Sequence, residues 1–442
     1  MAPGRMLDGA IRNLSLKAFS IGLERACRLV VVVAVAPVLG EAAFGRFVFA
    51  STVTALLALG TDLGLGVWTT RALARCRVDS ESQVLLGRGI VQVGLAIRSL
   101  AALPYAVAVL AVAMFAARGE ARAAITVLGV AALVNAFVDH FGAIFRGYER
   151  FGDEARVNAF RALLFGVAGL ATLTVARSLI GLCTSIAAAN LGGGIYGAVI
   201  LRRLYPFATE ARIERPKLDR VLAKVALTQA LPLWFAGLCS MLYFKIDTLF
   251  LRSMAGDAEL GLYGAAFKIF EGAMILPSVL LSVTFPQLAR AHGHPPIQRR
   301  LERQIGLLLL GFGLLAGATC FVGGTPLIRG VFGTGFGRAV PSLRVLALGM
   351  PLLFLNYGLT HFLVARDMGT MTQRFALAML GLNLVLDLAL IPRAHGPGAA
   401  WATVLTELAL TGCCLGALRL TFASQSVLPS IPTAPRIGQK AV

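Results

Sequence analysis

Apolar residues along this chain gather in blocks of about twenty or more, the length a helix needs to cross a bilayer. Such blocks lie near 17–38, 44–64, 90–116, 123–146, 157–176, 179–201, 226–251, 260–288, 304–322, 341–364, 372–391 and 397–418. They predict an all-α, polytopic membrane protein with about twelve transmembrane helices. Composition agrees: 57% of the 442 residues are apolar and 14% charged, against roughly 45–50% and about 25% in soluble domains.

A repeat organises the blocks. Gly40-Glu41-Ala42-Ala43-Phe44-Gly45-Arg46-Phe47 recurs 216 residues later as Gly256-Asp257-Ala258-Glu259-Leu260-Gly261-Leu262-Tyr263, and each copy links two apolar stretches. A period near half the chain predicts two homologous six-helix bundles, at 1–202 and 225–421, joined by a linker at 203–224 and followed by a tail at 422–442. The proline-bearing tail reads as short and disordered.

The net charge of +19 would point to nucleic acid in a soluble chain; here its placement decides. With the N-terminus inside, inner segments hold 26 lysines and arginines and outer segments 9. The positive-inside rule then puts both termini in the cytoplasm and leaves no nucleic-acid partner to explain. The linker, with Arg202, Arg203, Arg212, Arg215, Lys217, Arg220 and Lys224, reads as a surface for anionic membrane lipid. The first forty residues superficially suggest a signal peptide, but Glu24, Arg25 and Arg28 interrupt the apolar stretch and eleven spans follow. An uncleaved first span is expected. Residues 6–20 alternate polar and apolar faces and read as the start of an interfacial helix.

Six of the seven cysteines (Cys27, Cys183, Cys239, Cys320, Cys413 and Cys414) fall inside predicted spans, and Cys76 falls in an inner loop. Without paired CxxC spacing or histidine partners, they read as small apolar side chains, with no metal or cofactor implied.

Four segments resemble the polysaccharide-type flippases of the multidrug/oligosaccharidyl-lipid/polysaccharide exporter superfamily. LGEAAFGRFVFASTVTALLALGTDLGLGVWTTRALAR at 39–75 is similar to that family's opening hairpin. FKIDTLFLRSMAGDAELGLYGAAFKIFE at 244–271 is similar to its seventh span and the start of the eighth. FGTGFGRAVPSLRVLALG at 332–349 is similar to the outer loop before the tenth span. FRGYERFGD near Arg146 and LVARDMGT near Arg366 are similar to the inner starts of spans five and eleven. The resemblance implies two bundles around a water-filled cationic cavity in the bacterial cytoplasmic membrane. It also implies a lipid-linked oligosaccharide substrate, with polysaccharide polymerase and glycosyltransferases as partners. Multidrug exporters and the lipid II flippase share that fold and stay open as alternatives.

Six basic residues fall within spans: Arg25, Arg28, Arg98, Arg161, Lys245 and Lys268. Acidic residues there or at span edges are Glu24, Asp62, Asp139, Asp247, Glu271, Asp387 and Glu407. A central charge costs roughly 2.5–3.5 kcal/mol to insert, so most must face water or the protein interior. Arg25 and Arg28, at i, i+3, share a helix face and suit phosphate oxygens. Equally, Glu24 neutralises Arg28 at i, i+4 while Arg25 snorkels to the surface. Arg98 has no acid within four positions on its own helix, so it must contact another helix, water or the anionic substrate, and Asp139 is the natural partner. Arg161 lies one turn into its span and is expected to snorkel, and Asp62 to cap the following helix. Lys268 and Glu271 form an i, i+3 pair; Lys245 and Asp247 point apart, each toward another helix. Asp387 and Glu407 are either proton or sodium sites or neutral hydrogen-bonded acids.

Gly330, Gly333, Gly335 and Gly337 lack the spacing of a phosphate loop and read as a flexible outer turn. His292 and His294 read as a solvated loop, and Gly192, Gly193 and Gly194 as a site of close helix packing. The longest outer connection, 322–341, has no acid or histidine, which argues against an enzyme and for a carrier. Basic residues in the spans favour an anionic cargo such as a polyprenyl diphosphate over the cationic drugs of efflux antiporters.

Overall fold

The computed structural model describes residues 3–76, 81–204, 219–291 and 294–427. Among these, regular structure is helical throughout: α1 (Pro3–Asp62), α2 (Leu65–Arg75), α3 (Glu81–Phe115), α4 (Gly119–Gly147), α5 (Phe151–Ala171), α6 (Leu179–Leu204), α7 (Arg220–Ala273), α8 (Ile275–Arg290), α9 (Pro295–Val322), α10 (Gly324–Phe332), α11 (Val340–Ala365) and α12 (Gly369–Val427). Helices satisfy their backbone groups internally, as a bilayer demands. Among the described residues, eight helical stretches are long and apolar enough to cross a membrane. The protein is thus a multi-pass membrane protein.

Three of the long helices break where the sequence places outer loops. Gly40 (φ 77°, ψ 168°) divides α1 and Gly256 (φ 86°, ψ 178°) divides α7, in backbone conformations open to glycine. Equivalent positions of the repeat thus make equivalent turns. His395 divides α12 at φ 51°, ψ −123°, between Pro392 and Pro397. Its neighbour Gly396 donates its N–H to Glu259 at 3.2 Å, which ties this turn to α7.

Helices α1 to α6 pack mainly on one another, as do α7 to α12; the principal seam between the two sets runs along α1 and α7. At the hinge end, where Gly40, Gly256 and His395 lie, one apolar core spans both sets, with Phe44, Leu260, Tyr263, Phe332 and Phe336 buried together. Phe44 meets Phe332 and Phe336 at ring separations of 6.1 and 5.8 Å. At the opposite end, Leu65, Trp68 and Leu73 of α2 pack with Ala223, Ala226 and Ala230 of α7. A third core, including Leu309, Phe354 and Leu363, belongs to the second set.

Several expectations change. The connection after the second block contains α2, an eleven-residue helix started by left-handed Gly64. The glycine-rich segment at 330–337 is not a flexible turn: it forms α10 and a 3₁₀ helix at Thr334–Ala339, because Phe332 and Phe336 anchor it in the shared core. Gly192 does sit at a tight helix contact, where an added Cβ would lie 2.6 Å from Leu164. Most of the linker (205–218, with Arg212, Arg215 and Lys217), His292 and residues 428–442 lie outside the described residues, as do the side chains of 6–20. Asp219 closes the linker and caps α7, accepting from Val221 N at 3.0 Å and Leu222 N at 3.2 Å.

Candidate functional site

The two arms of α7 carry three partly exposed charged groups close together. Lys268 donates to Glu271 at 2.7 Å, the i, i+3 pair read from the sequence. Lys245, on the first arm, reaches the same carboxylate at 3.5 Å and lies 4.9 Å from the Phe267 ring centre. Glu271 remains 46% exposed and the lysines 23% and 33%. Two ammonium groups on one carboxylate leave a net positive, partly exposed cluster.

Asp247, two residues beyond Lys245, turns into the protein. It accepts from the Tyr263 hydroxyl and, at 2.7 Å, from the backbone N–H of Thr248. On α12, Asp387 is fully buried and both its oxygens lack a hydrogen-bond partner, as does Asn383 Oδ1 one turn earlier. An unpartnered buried carboxyl is costly. Glu407 differs: Tyr243 and Asn356 each donate to it at 2.7 Å, the bonding of a carboxyl locked between helices. Sequence did not separate the two acids, because the groups that satisfy Glu407 lie on distant helices.

In the first half, Arg98 is 1% exposed and donates to Asp62 and to the Ala136 carbonyl. Its partner is therefore Asp62, not Asp139. Asp62 also accepts from Gly66 N at 3.3 Å, so it caps α2 as expected. Asp139 instead accepts from Asn135 at 2.8 Å and lines a cleft of about 310 Å³ with Glu24, Asn135, Arg146, Glu154 and Arg161. Arg161 does not snorkel: it is buried, donating to Asn135 and, at 2.8 Å, to Glu24. Packing of α5 against α1 brings these groups together. The backbone at Arg25 and Arg28 is helical within α1, but their side chains lie outside the described residues.

Other ion pairs tie the ends of the halves. Arg366 donates to Glu302 at 2.9 Å, and both groups are buried. Arg338 lies 3.5 Å from Glu259 and 4.0 Å from Glu41, one acid from each half. The seven thiols are free, and no group of three or more metal-ligating side chains occurs among the described residues.

The arrangement has counterparts in solved structures. An inward-facing multidrug resistance MATE family transporter of the MOP superfamily superposes with a TM-score of 0.73 at 14% identity, over 92% of this chain and 96% of that one. The lipid II flippase MurJ, in an inward closed conformation, gives 0.69 at 12% identity, over 91% and 87%. A MOP superfamily transporter from Pyrococcus furiosus, described as having a binding pocket of reverse polarity, gives 0.63 at 15%, over 95% and 96%. In sequence, the chain is 26% identical over 215 residues to the probable flippase AglR of Haloferax volcanii, a match spanning 47% of this chain and 44% of that relative. Residues 10–292 match the family described as polysaccharide biosynthesis protein. With well over half its length matched by that family model, the chain belongs to the polysaccharide biosynthesis protein family, and its fold is that of the MATE and MurJ structures.

Proposed function

We propose that this protein is a flippase that moves polyprenyl-diphosphate-linked oligosaccharide units across the cytoplasmic membrane by alternating access, for synthesis of cell-surface polysaccharide. The carrying observation is the Lys245–Glu271–Lys268 cluster, partly exposed on a helix apolar enough to span a bilayer. Charges facing lipid are costly, so these groups face water between the halves, and their positive excess suits an anionic headgroup. From the first half we add Arg25 and Arg28, an i, i+3 pair in the sequence of α1, as the candidate anion-binding residues. A drug-efflux antiporter, whose cargo is typically cationic, gains nothing from these groups.

In this reading twelve spans form two rocking bundles, both termini are cytoplasmic, and the hinge end faces outward. The shared core and Arg338 hold that end closed, so the cavity opens to the cytoplasm. Helix α8, which turns away after Met274 to pack on α9 and α11, leaves room for the lipid tail. Glycosyltransferases supply the substrate and a polymerase consumes the product.

Outward movement of anionic cargo from a negative cytoplasm gains about 2.3 kcal/mol per charge per 100 mV. Asp387, with Asn383 one turn before it on α12 and neither carboxyl oxygen hydrogen-bonded, is the group we assign to a coupling cation, a proton or sodium ion. Deleting the gene tests the function: surface polysaccharide should be lost while its lipid-linked precursor accumulates. Normal polysaccharide and no precursor would refute it.

A further inference from the structure

The cleft of about 310 Å³ in the first half carries more polar groups than its own ion pairs consume. Helices α4 and α5 each pack on α1 more extensively than on one another, which leaves space between them. Asn135, Asp139, Gly142 and Arg146 recur at three and four residues and so share one face of α4. Across the cleft stand Glu154, Asn158 and Arg161 of α5, with Glu24 of α1 beside them. Asp139 is exposed on a helix apolar enough to span a bilayer, so it faces the cleft and not lipid.

Arg146 and Arg161 are each paired with a carboxylate, Glu154 and Glu24 respectively. Asn135 accepts from Arg161 and donates to Asp139 at 2.8 Å, which orients the aspartate. Several groups are left over. The Glu154 side chain is only 9% exposed, yet its Oε2 has no hydrogen-bond partner. Asp139 spends one oxygen on Asn135 and keeps the other. Asn158 makes no hydrogen bond among the described residues, so its amide offers a donor and an acceptor. Arg146, 29% exposed, has donors beyond the one it gives Glu154.

A buried carboxylate oxygen without a donor is costly until a ligand donates to it. A cation entering here meets two guanidiniums and an anion meets three carboxylates. A hydroxyl suits both kinds of group, because it donates to a carboxylate and accepts from an amide or guanidinium. We propose that this cleft binds one neutral sugar ring of the cargo, with hydroxyls donating to Asp139 and Glu154 and accepting from Asn158 and Arg146. The inference rests on the flippase reading and names the part of the substrate that the first half selects. The cleft is at the small end of ligand pockets, about 300–1,000 Å³, so it takes a single ring and not a chain. Three acids against two bases disfavour an acidic sugar. Arg28, a candidate for the diphosphate, follows Glu24 by about one helical turn on α1, which puts a sugar bonded to that diphosphate within reach.

Saturation-transfer NMR of the purified protein in phosphatidylcholine nanodiscs tests the site. The probes are the methyl glycosides of glucose, galactose, mannose and N-acetylglucosamine, with methyl glucuronide as the acidic comparison. At least one neutral glycoside should bind saturably, and about tenfold more weakly in Asp139→Ala and in Asn158→Ala. Asp139 is exposed and Asn158 half-buried, so both variants should keep the native melting temperature, measured alongside. The glucuronide, which needs no variant, should bind more weakly than the glucoside. Saturable binding by none of the neutral glycosides, binding unchanged in both variants, or a glucuronide bound as tightly as the glucoside overturns the proposal. Displacement of the sugar by sodium but not by choline would mark a cation site and overturn it as well. The readout needs no export, so its failure is distinct from failure of the precursor assay.

Discussion

Gly45 and Gly261, equivalent positions of the repeat, pack backbone against backbone across the seam between the halves. A Cβ added at Gly45 would lie 1.7 Å from the Asp257 carbonyl oxygen, and one at Gly261 would lie 1.9 Å from that of Glu41. The contact is reciprocal, as a two-fold relation between the halves requires. Because the opposing atoms are backbone, no side-chain movement can relieve a clash.

Either Gly45→Ala or Gly261→Ala should therefore force the halves apart at the hinge end, with a packing cost of about 1–3 kcal/mol. Gly60, in the same helix as Gly45, has nothing within 4 Å of an added Cβ. Gly60→Ala should be neutral or stabilise by up to about 1 kcal/mol. Thermal unfolding, together with labelling of an introduced Ala42→Cys from the hinge side, checks both expectations.

The Arg98–Asp62 pair should respond asymmetrically. Arg98 is 1% exposed and Asp62 38% exposed at the side chain. Asp62→Ala strands a buried guanidinium and should cost about 3–5 kcal/mol, whereas Arg98→Met leaves a carboxylate that water can reach and should cost less. Melting temperatures of the two variants, read side by side, decide the order.

Lys245→Ala and Lys268→Ala should hardly change stability, because half-exposed pairs contribute about 0–1 kcal/mol. Export of polysaccharide should fall at least about tenfold in each. Complementation of a deletion strain, normalised to inserted protein, measures this.

Asp387→Asn removes a buried, unpartnered carboxyl and should leave stability unchanged or raise it. Transport in vesicles should lose its response to an imposed proton or sodium gradient while retaining its response to membrane potential. Glu407→Gln, at a site that hydrogen bonds already satisfy, should keep the gradient response.

The sequence made the all-helical, multi-pass character legible because bilayer thickness sets the block length, and it made the turns at Gly40 and Gly256 legible because they recur at one period. The Lys268–Glu271 pair was readable because both residues lie on one helix. Arg98's partner was not, since the register of α3 against the end of α1 depends on how α2 folds back. Tyr263 likewise carried no signal: its hydroxyl meets Asp247 only because the glycine turn folds one arm of α7 onto the other. The 3₁₀ segment was missed because its glycines drew more notice than Phe332 and Phe336, whose burial orders it.

Reconstitution into vesicles with a fluorescent polyprenyl-diphosphate oligosaccharide tests the central claim most directly, read by a glycosidase that cannot cross the membrane. Sugar that starts inside should become cleavable from outside with the native protein, and much more slowly with Lys268→Ala or Gly261→Ala. Equal rates in protein-free vesicles, or native rates in both variants, would contradict a flippase built on two closing halves and a cationic path.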